Sequence, residues 1–352
     1  MKVPPGSSAA LVDAVVAGHP PDDLELRVFV PLTPGDRTER PITVDQTNVS
    51  VVVGERAVVK WMRSPGDARA PRLLAHLAAA GFTRMPTPHA AAFRDGELVA
   101  LVTAFLPEAE DGWDWCTDDL LSWLDGGPPA GFAPALGALA ADLHAALATP
   151  SPIYPSPLAV PSPTDPEPAA HTPADTLAEA LDCAGDDADG AWIRSIAGLI
   201  SADISVLSGY RTPAPSLHLH GDLHVGQILR YRGGQLAVTD FDGNPTKTAR
   251  PEPVARDLAQ LRTSVLHVAE IANRRTEGRH RPALLDWGRR AADDLLAAYR
   301  AGLDGHGVPH LLDEKLLRPF EVEQECRELI YAARFLPRWR YAPLGVLRSW
   351  YG

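Results

Sequence analysis

Asp222, Gln227, Asp240 and Asp242 lie close together in the run LHLHGDLHVGQILRYRGGQLAVTDFDGNP, residues 217–245. They are oxygen donors with no cation among them. Hard cations such as Mg2+ take such groups, binding through one or two carboxylates together with substrate phosphates. Asp222 stands where a carboxylate could accept the proton of a hydroxyl nucleophile. One carboxylate as base, an amide and a second carboxylate on metal, and a distant Lys steadying a nucleotide make up phosphoryl transfer to an alcohol. A second chemistry competes. His218, His220, Asp222 and His224 alternate, and zinc takes imidazole and carboxylate. The metallohydrolase pattern His-x-His-x-Asp-His, however, meets Leu223 where its last His belongs, with His224 one place late.

Something must bring these side chains together. Residues 227–231 and 236–239 are apolar and β-prone, and Gly233-Gly234 between them suits a two-residue turn with positive φ. Such a turn sets the register. It predicts Arg232 opposite Gln235 and, at the open end, Gln227 opposite Asp240, with Cβ atoms about 5 Å apart. Asp222 and Asp242 then flank the pair on loops. A plain surface hairpin, with Asp and Gly serving only the turns, is the structural alternative.

Composition narrows the setting. The formal net charge of -12 disfavours nucleic acid as a partner. It also requires that a polyanion such as ATP be met by local Lys and metal. Three scattered cysteines, Cys116, Cys183 and Cys326, form neither a disulfide framework nor a metal knuckle and fit a reducing compartment. The N-terminal run is not a signal peptide, and no uncharged apolar stretch reaches the roughly 20 residues that span a bilayer. The reading is a cytoplasmic, membrane-free monomer acting on small molecules.

Up to about residue 106 the pattern is strands at 24–30, 44–53, 57–61, 89–93 and 98–105, with helices at 8–17 and 67–80. Asp95-Gly96 between apolar runs signals a hairpin. Beyond Leu106-Pro107 helices dominate, at 113–124, 132–148, 174–183, 191–207, 253–276, 282–303 and 314–335, and the only strands are those of the hairpin described above. Residues 149–173 are rich in Pro and Ser and read as an extended loop. The change of character marks a boundary between 1–106 and 107–352. The fold class is α+β. A small β-rich N-lobe, a short hinge and a large helical C-lobe with an Asp-rich hairpin are a bilobal protein-kinase-like layout. In that layout the backbone around Ala104 and Leu106 reads adenine, and Lys60, at the end of the apolar run Val58-Val59, meets phosphates. A snorkelling strand-edge Lys is the plainer reading of Lys60.

The chain resembles the aminoglycoside phosphotransferase-like kinases, and more narrowly their maltokinase branch and the related actinobacterial glucosamine kinases. The resemblance is carried by Asp45-Gln46-Thr47-Asn48-Val49-Ser50, Val59-Lys60, Phe105-Leu106 with Asp111-Gly112-Trp113, His220 to Gln227, Asp240-Phe241-Asp242-Gly243-Asn244-Pro245, Arg256-Asp257-Leu258 and Tyr331-Ala332-Ala333-Arg334. Carried over by position, it implies Asp222 as catalytic base, Gln227 and Asp240 on Mg2+, Asp242 on a second metal, and Lys60 on the α and β phosphates of ATP. His220 and Arg256 would brace the loop. Three departures stand out. The helix after Lys60 offers only Asp67 as a carboxylate partner. The phosphate loop lacks glycines, so Asn48 and Ser50 stand in. The chain is also shorter than a maltokinase.

For the acceptor, residues 320–331 (FEVEQECRELIY) put Glu321, Glu325 and Glu328 on one helical face. Like charges so spaced are mildly destabilising. A solvated acidic face is one explanation. The other is an ammonium ligand, which would form charge-assisted hydrogen bonds there. With Trp339 or Tyr341 as a stacking surface and His224 beside Asp222, the favoured acceptor is D-glucosamine, phosphorylated to glucosamine 6-phosphate. Maltose and aminoglycosides are the alternative acceptors. A catalytically silent kinase-like binding module is the alternative of another class.

Overall fold

The structure is a computed structural model, described here for residues 3–21, 23–42, 48–66, 68–159, 172–210, 212–243 and 250–352. Asp67, the segment 45–47 and Asn244-Pro245 therefore lie outside the described residues. The chain divides into two compact units. The first is Met1–Glu110 with Thr149–Pro157 and Ile228–Ala249; the second is Asp111–Ala148, Leu158–Gln227 and Arg250–Gly352.

The first unit is built on a six-stranded antiparallel sheet. Its elements are α1 (Ser7–Ala17), β1 (Glu25–Val28), β2 (Glu39–Ile42), β3 (Val49–Val53), β4 (Ala57–Gly66), α2 (Arg69–Ala79), β5 (Pro88–Arg94) and β6 (Glu97–Ala104), with strand order β1-β5-β6-β4-β3-β2. Strand β2 is not apparent from its residues, Glu39-Arg40-Pro41-Ile42. It lies at the sheet edge, where a proline removes no ladder hydrogen bond. The β5–β6 turn is the expected two-residue one, with Asp95 and Gly96 both at positive φ. Alternation along β4 sets up the site. Val59 turns into the core that Leu11, Val12 and Val15 of α1 share with Val51, Val53, Ala92 and Val102. Lys60, the next residue, must then point to the opposite face. It pairs across the sheet with Ser50 and Leu101.

The second unit is helical: α3 (Gly112–Leu124), α4 (Ala133–Ala148), α5 (Pro173–Asp182), α6 (Ala188–Gly209), α7 (Ala255–Arg275), α8 (Arg281–Gly305), α9 (Leu317–Arg334) and α10 (Tyr341–Tyr351). It also contains a short antiparallel pair, β7 (Ser216–Leu217) with β10 (Glu252–Pro253), which the sequence pattern misses because each strand is only two residues long. Helix α10 is missed as well, since Pro343 and Gly345 break its apolar period. Pro343 sits in the first turn, where its missing N–H costs nothing. Helix α9 starts later than expected, after a 3-10 turn at Glu314–Leu316. Helix α6 is long and apolar enough to cross a membrane by length and composition, although it is not uncharged, carrying Asp189, Arg194 and Asp203. Its Ile193, Ile196, Ile200 and Ile204 are buried in a cluster with Val322, Leu329 and Leu347.

The Asp-rich hairpin differs from expectation in register. Strands β8 (Ile228–Tyr231) and β9 (Gln235–Val238) pair Tyr231 with Gln235 and Ile228 with Val238. The turn thus holds three residues, Arg232, Gly233 and Gly234, all at positive φ. Arg232 belongs to the turn and does not face Gln235. The ladder stops at Ile228, and Gln227 ends a 3-10 turn, Val225–Gln227. Cross-strand pairing therefore does not set Gln227 opposite Asp240. A one-residue change of register reverses which face each side chain takes.

Candidate active site

In the first unit, Lys60 and the end of the hairpin form one cluster. Lys60 Nζ donates to Asp240 Oδ1 and to Asp242 Oδ2, each at 2.7 Å. The Lys60 side chain is only 20% exposed. Burial by itself would lower its pKa, but the two facing carboxylates outweigh that and raise it. Burial raises the Asp242 carboxyl, with Lys60 opposing and Asp240 adding to the rise. The missing acidic partner for Lys60 is therefore not on α2 but on the hairpin. Two carboxylates 2.7 Å from one ammonium converge on a single cation position. That convergence and the all-oxygen donor set suit Mg2+. Among the described residues no group of three or more His, Cys, Asp and Glu converges, so His218, His220, Asp222 and His224 do not gather as a zinc site would need.

Backbone geometry shapes the loop. Asp240 takes φ 60 and Gly243 φ 73, so left-handed residues bound Phe241-Asp242. Ser50, buried, pairs directly with Lys60 across β3 and β4. Asn48 Oδ1 accepts the Arg63 amide at 3.3 Å. At the end of the sheet, the Ala104 amide donates to Thr87 O at 2.8 Å and the Phe105 amide to Arg56 O at 2.9 Å. Leu106 follows on the loop.

In the second unit, one stripe of α7 holds the loop that carries Asp222. Asp257, Gln260, Ser264 and His267 recur at spacings of three, four and three, one face of a helix. Asp257, fully buried, accepts the His220 amide at 2.9 Å and the Gly221 amide at 3.0 Å. Gly221 sits at φ 84, a conformation glycine adopts readily. Gln260 Nε2 donates to Asp222 Oδ1 at 2.7 Å. The Val225 amide donates to Ser264 Oγ at 3.0 Å. Behind Asp257 stands His144, with Nε2 3.5 Å from the carboxylate and Nδ1 2.6 Å from the Tyr299 hydroxyl. Burial alone would raise the Asp257 carboxyl; the nearby His144 and its charge, the charge of His220 and the Gly221 amide carry it below the usual carboxylate range. Asp257 thus braces the loop together with His220, whose Nδ1 accepts the Asp222 amide at 3.3 Å, as expected of His220. Arg256 instead pairs with Glu323 and Glu252, each at 2.9 Å.

Next to Asp222 lies an aromatic cluster. His224 Nε2 is 3.9 Å from Asp222 Oδ2, and its ring stacks on Trp113 with centroids 5.5 Å apart. A Cβ at Gly226 would overlap both rings, which accounts for the glycine. Trp113 meets Trp339 edge-on at 5.3 Å, and His267 packs against both indoles. Asp111 caps α3 by accepting the Trp113 amide at 2.8 Å and so orients the indole. The acidic stripe of α9 joins this cluster. Glu325 Oε2 lies 2.9 Å from His267 Nε2, and Glu328 accepts Trp339 Nε1 at 2.8 Å. Glu321 is taken up by Arg262. The stripe is therefore no solvated face: Glu321 and Glu325 are buried and each has a basic partner. Burial pushes the Glu325 carboxyl up to about 7, His267 opposing. Glu325 Oε1 and His224 Nδ1 are buried and make no hydrogen bond among the described residues. Trp113, Gln260, Asp257 and His267 are among the members of these clusters to which sequence reasoning gave no role. The signal that could have found three of them is a polar stripe, Asp-x-x-Gln-x-x-x-Ser-x-x-His, along one face of α7.

Comparison with known proteins gives a consistent result. No family model matches the chain. It is 39% identical over 323 residues to a glucosamine kinase of Streptacidiphilus jiangxiensis, spanning 87% of this chain and 72% of that protein. A glucosamine kinase of Mycolicibacterium smegmatis is 38% identical over 329 residues, spanning 88% of this chain and 79% of that protein. A solved structure of a glucosamine kinase in complex with glucosamine, ADP and inorganic phosphate matches with a TM-score of 0.80 and 33% identity, over 100% of this chain and 84% of that one.

Proposed function

This chain belongs to the glucosamine kinase family, and from that premise we propose that it transfers the γ-phosphoryl group of ATP to the 6-hydroxyl of D-glucosamine. The observation that carries the proposal is the similarity, over the whole of this chain, to a kinase whose structure holds glucosamine, ADP and phosphate. In the reaction the sugar O–H bond breaks and an O–P bond forms. The bond from the γ-phosphorus to the bridging oxygen breaks, and ADP leaves. Asp222 takes the proton, oriented by Gln260. Lys60 turns from Asp240 and Asp242 to the α and β phosphates, with Ser50 beside it on the sheet. Asp240 and Asp242 would hold Mg2+, whose charge offsets that building on the transferred group. Backbone at Ala104 and Leu106 meets the adenine. The three free thiols suit a reducing, cytoplasmic setting.

The aromatic cluster takes the sugar. Trp113 and Trp339 supply flat apolar surface, and His224 Nδ1 and Glu325 Oε1 supply polar atoms that make no hydrogen bond among the described residues. Glu321, already held by Arg262, supports the acidic stripe from one turn away. An ammonium ligand favours the ionised form of Glu325, whose pKa of about 7 makes that ionisation pH-dependent. The KM for glucosamine is therefore expected to fall as pH rises through about 7. Glu325→Gln should raise that KM about tenfold or more, the loss of one charge-assisted hydrogen bond. It should flatten the pH profile and leave the KM for glucose unchanged. Steady-state kinetics on both sugars at several pH values checks this, and equal losses for the two would remove Glu325 from ammonium recognition.

A further inference from the structure

The helix that follows Lys60 reaches the site with a cation. Arg69, the first residue of α2, donates from Nη1 to the Phe241 carbonyl at 3.0 Å. Its guanidinium also lies against Gly243, where any Cβ would overlap it. Phe241 stands between Asp240 and Asp242, so Arg69 grips the backbone from which both carboxylates project. The first turn of α2 carries no acidic residue, and Lys60 is met by Asp240 and Asp242. Two basic residues thus hold the loop from opposite kinds of group. Lys60 takes the side chains and Arg69 the main chain. The loop benefits from such a hold, because Asp240 is a non-glycine residue at φ 60, a conformation that costs backbone strain.

We propose that Arg69 is a positioning residue for the divalent cation: through the Phe241 carbonyl and the face of Gly243 it fixes Asp240 and Asp242 in the geometry that binds metal. This rests on the reading of those two carboxylates as metal ligands. Groups that orient ligands without touching the metal typically contribute 10–100-fold in affinity. Glycine at 243 fits the same role: it tolerates φ 73 and leaves room for the guanidinium against the chain.

The test is Mn2+ binding, followed by electron paramagnetic resonance of the free ion, to the protein saturated with ADP. Arg69→Met is expected to weaken Mn2+ binding about tenfold or more. Its affinity for ADP without metal should match wild type, a split that general loosening of the fold would not produce. Arg69→Lys keeps a donor for the carbonyl but not the flat face, and should recover part of the loss. Gly243→Ala, which leaves Arg69 present but displaced, should weaken Mn2+ as well. Wild-type Mn2+ affinity in Arg69→Met would overturn the proposal. Asp240→Asn separates the two layers. If it also binds Mn2+ as wild type does, the metal-ligand reading fails; if it alone loses Mn2+, only the role of Arg69 fails.

Discussion

Asp222→Asn is expected to lower kcat by about 10²–10⁴-fold while the KM for ATP stays within about twofold of wild type. The substitution is nearly isosteric. The amide oxygen can still accept from Gln260 Nε2, which lies 2.7 Å from Asp222 Oδ1, and the backbone amide still faces His220 Nδ1 at 3.3 Å. Nothing that holds the loop is removed, so Tm should not move. What disappears is the capacity to take the sugar proton as the O–P bond forms. Lys60, Asp240 and Asp242 belong to the other compact unit and are untouched, which is why nucleotide binding should persist. Rapid-quench measurement of the chemical step checks the expectation. A rate within about threefold of wild type would mean that Asp222 is not the base, and His224 would then be the residue to examine.

Asp257→Ala is expected to be the most damaging single change to stability. Its carboxylate is fully buried and accepts the amides of His220 and Gly221. Leaving each amide buried without an acceptor costs about 1–3 kcal/mol, and removing one member of a buried charged network costs about 3–5 kcal/mol. That is a large share of the roughly 5–15 kcal/mol by which a domain is stable. Asp257→Asn should cost less, since its oxygen can still accept one amide, but its NH2 would then confront the other. The pH dependence follows from the sign of the shift. The folded-state carboxyl lies below its ordinary value, so the unfolded chain binds more protons as pH falls. The stabilisation is fully present above about pH 4, the ordinary Asp pKa, and is lost as pH drops through the folded value. Urea unfolding of wild type and Asp257→Asn should therefore show a gap at pH 7 that narrows below about pH 4. A gap that does not depend on pH would contradict the role of Asp257 as an ionised brace.

These two residues differ in how far the sequence reveals them. Asp222 stands in a run whose residue types alone suggest chemistry, and so do Asp240 and Asp242, while Lys60 is suggested by its place at the end of an apolar strand. Their partners are harder to see. The hairpin exists where the apolar alternation puts it, yet three left-handed turn residues in place of two shift its register by one, and propensity does not distinguish a Gly-Gly turn from an Arg-Gly-Gly turn. The acidic run of α9 leaves open a solvated face or an ammonium site, because a sequence does not display the basic residues that another helix brings against it. Arg262 and His267 of α7 do so here. Asp257 is visible only as part of a short motif, while its function depends on where residues 220 and 221 pass. Arg69 is an unremarked arginine until tertiary structure sets it beside Gly243. Local pattern thus points to candidate reacting groups, and packing decides what holds them.

The central claim is that this chain moves the γ-phosphoryl group of ATP to an amino sugar. The most direct measurement is ADP release by the purified protein with Mg2+ and ATP, using glucosamine, glucose, maltose and an aminoglycoside in turn. The account predicts a kcat/KM for glucosamine above those of the other three, with phosphorus on oxygen 6 of the product. Equal or better turnover of maltose, or ADP release that no sugar stimulates, would contradict it.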